Sequence, residues 1–280
     1  MIEKGTIKFR QKRELGQILS DSFAFLKQEA RPLSRLMLLY VLPFIVIYVI
    51  AQIYFQKNVL VRFNPTNLEA MQENMGSLYL NLAIFMGFFV FIQSLMAGTY
   101  YSYIEAYVKQ GRGNIDLQDI APHFFSNSLL ALGAGIVFAF LTFLGATFCV
   151  LPGVYLANTF SLVFIILVFE KKGLSNAMGK SWKLVNTQWW NTLGLNLIGI
   201  IIVFGISLLF SLLLATIGVS QGLASGISDT PIEYPQWYWV INGITSVIST
   251  CVFIVPYTFL AFHYFNLEER ENPILPSDVI

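Results

Sequence analysis

Three glutamates, Glu105, Glu170 and Glu268, close three similar stretches of this sequence, TYYSYIE, FIILVFE and FHYFNLE, and a basic residue follows each soon after. At the C-terminal end of a helix a carboxylate opposes the macrodipole and needs a cationic partner. Arg13, Lys27, Lys180 and Lys183 lie at the matching depth. The expectation is a ring of acid and base pairs clamping the helices that carry them. Other chemistry is scarce. There are two histidines and no HExxH, no cysteine and histidine cluster and no Gly-rich phosphate loop. Asp116, Asp119 and His123 share a helical face at offsets 0, +3 and +7, but Pro122 predicts a break there. They read better as solvated loop residues, with Asp116 or Asp119 capping a helix. His263, among Phe262, Tyr264 and Phe265, reads as an interfacial histidine or, alternatively, as a pH-responsive group. The amides Gln93, Asn158, Asn196 and Asn242 interrupt apolar runs, where they either line a polar path or bond across helices at about 0.6 kcal/mol each. No catalytic, cofactor or metal site is expected, and the chain does not read as an enzyme.

The elements that position these residues are set by composition. Of 280 residues, 56% are apolar, 15% aromatic and only 12% charged, whereas a soluble surface needs about a quarter charged residues. The solvent for this chain is lipid. A net charge of +1 and the absence of any nucleic-acid motif exclude nucleic acid as a partner. Cys149 and Cys251 lie in apolar runs and read as reduced packing residues. The first apolar run follows 35 mostly polar residues, which is not the layout of a cleaved signal.

Charge-free runs divide into six spans near 36–56, 78–104, 127–149, 153–169, 188–216 and 239–266. The run from Ala121 to Phe169 exceeds one crossing, and Leu151, Pro152 and Gly153 supply the break, with Pro152 suited to a first helical turn. Pro43 and Pro256 predict kinks in the first and last spans. Ser94 with Gly98, Ala131 with Gly135, and Ser207 with Ser211 and Ala215 are small pairs that permit close helix approach. Loops of roughly twenty residues, 57–77 and 217–238, are expected outside; Asp229, Pro231, Glu233 and Pro235 of the second, followed by Trp237 and Trp239, read as a cap entering an aromatic belt or, alternatively, as a binding surface. Lysine and arginine number fifteen in the terminal segments and the 105–126 and 170–187 loops, against two opposite, so both termini should be cytoplasmic.

The cytoplasmic segments repeat. From Leu174, offsets 0, +3, +4, +7, +8 and +11 give Leu174, Ala177, Met178, Ser181, Trp182 and Val185; from Leu15 they give Leu15, Ile18, Leu19, Ser22, Phe23 and Leu26. From Leu117 they give Leu117, Ile120, Ala121, Phe124, Phe125 and Ser128, a weaker match because of Pro122. The predicted fold is all-α and polytopic: six transmembrane helices as three hairpins, each preceded by a cytoplasmic interfacial amphipathic helix. It forms one membrane domain over 1–280, with a cytoplasmic N-terminal segment (1–35), the bundle (36–266) and a cytoplasmic tail (267–280).

On the segments RELGQILSDSFAFLKQ, FEKKGLSNAMGKSWKLVNTQWW and HYFNLEERE, the chain resembles the six-span bacterial family named after the membrane domain of glycerophosphoryl diester phosphodiesterase. The resemblance covers nearly the whole chain, but its motifs are architectural. It implies a membrane module in the bacterial cytoplasmic (inner) membrane. The phosphodiesterase activity of the namesakes belongs to a separate soluble barrel, which the few residues after the last span could not hold. The function this points to is a non-enzymatic scaffold or partner subunit of a cell-envelope membrane assembly. Its partners would be the lipid bilayer, with anionic lipid at the cytoplasmic face, and membrane proteins. The alternative is a transporter or lipid-moving protein with a groove between hairpins, although no intramembrane carboxylate is present to couple ions.

Overall fold

The computed structural model describes residues 7–60, 68–113, 115, 117–148, 150–228 and 234–273, and all regular structure among them is helical. In chain order the helices are α1 (Leu15–Gln28), α2 (Ala30–Tyr40), α3 (Leu42–Phe55, continued by a π-helical turn), α4 (Leu68–Gln110), α5 (Leu117–Phe148), α6 (Val150–Thr159), α7 (Val163–Glu170), α8 (Leu174–Thr187), α9 (Trp189–Ser228), α10 (Gln236–Cys251) and α11 (Ile254–Glu271). Five stretches are long and apolar enough to cross a membrane, Met75–Gln110, Ser126–Gly145, Val150–Glu170, Trp189–Thr216 and Gln236–Glu271, and α2 with α3 makes a sixth if counted together. On length and composition this is a multi-pass membrane protein.

Prolines mark where these helices begin. Pro43 is the second residue of α3, Pro152 the third of α6 and Pro256 the third of α11. In a first turn the missing N–H removes no helical bond, because the first four N–H groups have no partner within the helix. The helix of the first span is accordingly interrupted at Val41, and two turn residues, Val252 and Phe253, interrupt that of the last. Pro122 behaves differently from expectation: α5 runs through it without interruption. As the sixth residue of α5 it forfeits only one bond, to the carbonyl of residue 118. The third cytoplasmic segment is thus the start of a span helix and not a separate element. The outer loops are also shorter than expected, because α4 starts at Leu68 and α9 reaches Ser228.

The fourth span carries a break that no proline announces, at Phe160–Leu162. In an unbroken helix the Thr159 carbonyl would accept from the Val163 N–H. Here Val163 N–H instead donates to the Phe160 carbonyl at 3.1 Å, and the Ser181 hydroxyl donates to the Thr159 carbonyl at 2.7 Å. A side chain of α8 has taken the place of a backbone donor.

The chain forms two compact units, Met1–Val41 with Gln93–Ile200 and Ile254–Ile280, and Leu42–Ile92 with Ile201–Phe253. In the first, α11 is the core: every residue from Thr258 to Leu267 is buried. Phe9, from the segment before α1, stacks on Phe262 at 4.4 Å between ring centres and meets Phe25, Tyr107 and Phe265 edge-on. The small residues act at helix crossings here. A Cβ on Gly98 would lie 2.8 Å from both Cα and N of Ser128, so α4 and α5 touch backbone to backbone. Gly98→Ala should therefore cost about 1–3 kcal/mol by forcing the two helices apart. Gly87→Ala, where a Cβ meets nothing within 4 Å, should be neutral or gain up to about 1 kcal/mol from helix propensity. Thermal unfolding of the two variants in one detergent gives the comparison. In the second unit aromatics dominate: Phe85 stacks on Tyr48 (5.3 Å) and on Phe55 (5.7 Å), and Phe89 meets Phe253 at 6.1 Å.

Helices α1 and α8 are both 14 residues long and begin at the two leucines from which the repeat was read. Offsets +3 (Ile18, Ala177) and +7 (Ser22, Ser181) are buried in both, as is +10 (Phe25, Leu184). The aromatic at +8 is exposed in both, Phe23 at 48% and Trp182 at 43%.

Candidate functional site

The three glutamates lie toward the ends of their helices, Glu105 in the penultimate turn region of α4, Glu170 as the last residue of α7 and Glu268 in the last turn of α11. Each has a lysine. Glu105 is 2.6 Å from Lys109 and 3.5 Å from Lys171. Lys180, on α8, hydrogen-bonds Glu170 and lies 2.6 Å from Glu268. The Tyr264 hydroxyl also donates to Glu170 at 3.1 Å, and Lys172 stands 3.7 Å away. One ammonium thus joins the C-terminal ends of two helices whose dipoles both favour a cation. Burial acts to lower the Lys180 pKa, but hydrogen bonds and charge from Glu170 and Glu268 outweigh it, and the value is raised above the ordinary lysine value.

Of the four cations expected to serve this cluster, only Lys180 does so. Lys183 pairs with Glu271, Lys27 forms no ion pair with any of the three glutamates, and Arg13 has another task. The Arg13 guanidinium, 2% exposed, bonds Asp21 at 2.7 Å, donates to the carbonyl of Phe9 at 2.6 Å and also reaches those of Lys8 and Gln11. It packs over the Phe262 ring at 4.9 Å. Its own N–H donates to Asn266 Oδ1 at 2.8 Å, and Arg270 donates to its carbonyl at 2.8 Å. The segment before α1 is thereby pinned to α11. The Lys171 contact depends on the turn after α7, where Lys171 itself is left-handed (φ 53°) and Gly173 takes φ 87°, a region glycine fills without strain.

A second ionic group was not foreseen. Glu29, in the turn between α1 and α2 and 4% exposed, accepts from the Tyr103 hydroxyl at 2.7 Å and from Arg112 Nε at 3.2 Å. The signal was present in α4: Tyr100, Tyr103 and Tyr107, at offsets 0, +3 and +7, are all buried and mark the face turned inward.

The amides do not converge. Asn196 Nδ2 donates to Asn158 Oδ1 at 2.8 Å, and Asn158 Nδ2 donates to the Trp189 carbonyl at 3.1 Å. Gln93 Oε1 accepts instead from the Tyr257 hydroxyl at 2.8 Å. Asn242 belongs to the other unit and bonds Tyr238. His263 is fully buried, with Nε2 2.8 Å from the Thr192 hydroxyl, so it is a packed core residue and not an interfacial one. Among the described residues no group of three His, Cys, Asp or Glu could hold a metal. Asp116, Cys149, Asp229 and Glu233, and the side chains of Asp119 and His123, lie outside the described part. No family model, curated protein or solved structure matches this chain.

Proposed function

We propose that the chain is a non-enzymatic scaffold or partner subunit of a membrane assembly. The observation that carries this reading is how the amides are used. Gln93, Asn158 and Asn196 direct hydrogen bonds to partners inside the first unit, which is what side chains gluing helices do and what side chains lining a path do not. Meanwhile α9 presents Ile201, Phe204, Leu208 and Leu212, each more than half exposed and three or four residues apart. That ridge faces lipid or another membrane helix. With fifteen basic residues on one side, both termini are assigned to the cytoplasm of a bacterial cell. There α1 and α8 would lie along an anionic surface as amphipathic helices, with Lys180 of the lysine and glutamate cluster holding α8 to the spans. The family resemblance of the sequence agrees with a membrane module that lacks catalysis.

Purification from native membranes in mild detergent tests this. One companion protein at a fixed molar ratio is expected, and replacing both Phe204 and Leu208 by alanine should lower its recovery several-fold. No companion, or one indifferent to those residues, would overturn the proposal. A second reading, a lipid-moving protein, is favoured by an apolar groove in the second unit. Headgroup or solute flux through vesicles holding only this chain would establish it.

A further inference from the structure

The groove runs between α3 and α10 and has a volume of about 340 Å³, within the range of roughly 300–1,000 Å³ usual for small-ligand sites. Val46, Ile50 and Ile53 form one wall, Val240, Ile244 and Val247 the other. Its floor is closed at Gly243, where a Cβ would stand 3.4 Å from both Ile53 and Val49. Its length follows from α10: Gln236 to Val247 spans about 16 Å at 1.5 Å per residue. A partner helix about 10 Å across would need roughly 1,200 Å³ over that length, so the groove accepts something thinner.

Charge appears at one end only. Lys57 stands with its ammonium 4.8 Å from the centre of the Trp239 ring, and Trp239 lines the groove. Among the described side chains of this unit Lys57 is the only charged one, so no described carboxylate neutralises it. An extended apolar slot ending in a cation beside an aromatic ring, with no described carboxylate upon it, matches one class of molecule. That class has a hydrocarbon chain attached to a phosphate. We infer that the α3–α10 groove is a binding site for an anionic phospholipid, with one acyl chain between the helices and the headgroup phosphate on Lys57. The tryptophan ring then serves as the platform that holds the ammonium at the polar end of the slot. The inference requires only that the chain sits in lipid, and it stands whether or not a protein companion exists.

The purified full-length chain, with Trp182, Trp189, Trp190 and Trp237 replaced by phenylalanine, is reconstituted in phosphatidylcholine vesicles. Quenching of Trp239 by chain-brominated phosphatidylglycerol is then compared with quenching by chain-brominated phosphatidylcholine. Phosphatidylglycerol should be preferred by about fivefold, the worth of one lysine near anionic lipid. Lys57→Gln should bring the ratio to about one. Ile50→Phe, which fills the slot from a wall position 62% exposed, should reduce quenching by both lipids. Equal quenching by the two lipids, a ratio indifferent to K57Q, or quenching unaffected by I50F would each overturn the assignment. Native mass spectrometry of the chain with all five tryptophans gives an independent reading. One retained phosphatidylglycerol that K57Q loses about fivefold supports the site, and equal retention sinks it.

Discussion

Replacing Lys180 by methionine should destabilise the protein by about 3 kcal/mol, because removing one partner of a partly buried ion pair leaves the others uncompensated. Two carboxylates are affected here. Glu268 has no other lysine or arginine within ion-pair distance among the described residues, and Glu170 keeps only Lys172 at 3.7 Å. The shift in melting temperature should be roughly 6–12 °C in a fixed detergent. Adding Glu170→Gln and Glu268→Gln to Lys180→Met should recover most of the loss, since a neutral cluster of similar volume carries no stranded charge. If the triple variant is no more stable than the single one, the lysine stabilises by packing and the ion-pair account is wrong. The pH dependence has a definite sign. A lysine whose pKa is raised on folding contributes fully below its ordinary value, 10.5, and loses that contribution as pH rises through the higher folded value. The gap between wild type and Lys180→Met should therefore be constant from neutral pH to about 10 and shrink above it.

Arg13→Ala should have an effect at least as large, about 3–5 kcal/mol. The guanidinium is the donor to three carbonyls in the segment before α1, those of Lys8, Phe9 and Gln11. Without it these acceptors lose their partner while the Phe9 ring still has to stay between Phe25 and Phe262. The segment should detach, which limited proteolysis near Lys8 and Lys12 would show as cleavage absent from the wild type. Arg13→Lys should not rescue it, because an ammonium cannot reproduce the planar fork that reaches Asp21 and the carbonyls together. Rescue by lysine would mean that charge alone matters at this position.

Much of the architecture was legible in one dimension. Lipid-crossing runs are long, uncharged and coarse in their requirements, so the presence of five or six of them followed from the cost of burying charge in hydrocarbon. Pro152 announced a helix start, since the ring constrains its own turn whatever surrounds it, whereas Pro43 and Pro256, read as kinks within spans, stand in the first turns of α3 and α11. Leu15 and Leu174 opened equivalent helices because a 3.6-residue period is a local property. Pro122 misled, because its cost depends on how far into the helix it falls. The break at Phe160 was invisible in sequence, for it exists only once Ser181 arrives from another helix to claim the Thr159 carbonyl.

The same division holds for the charged residues. That Glu105, Glu170 and Glu268 would need cations follows from their position near helix ends, an electrostatic rule that acts along the chain. Which cations answer does not follow, because Lys171, Lys180 and Arg112 reach their carboxylates across 66, 10, 88 and 83 positions respectively for Glu105, Glu170, Glu268 and Glu29. Spacing within a helix predicts a face. Partners on different helices are chosen by the packing around α11, where crossings as close as Gly98 on Ser128 set which side chains come within reach.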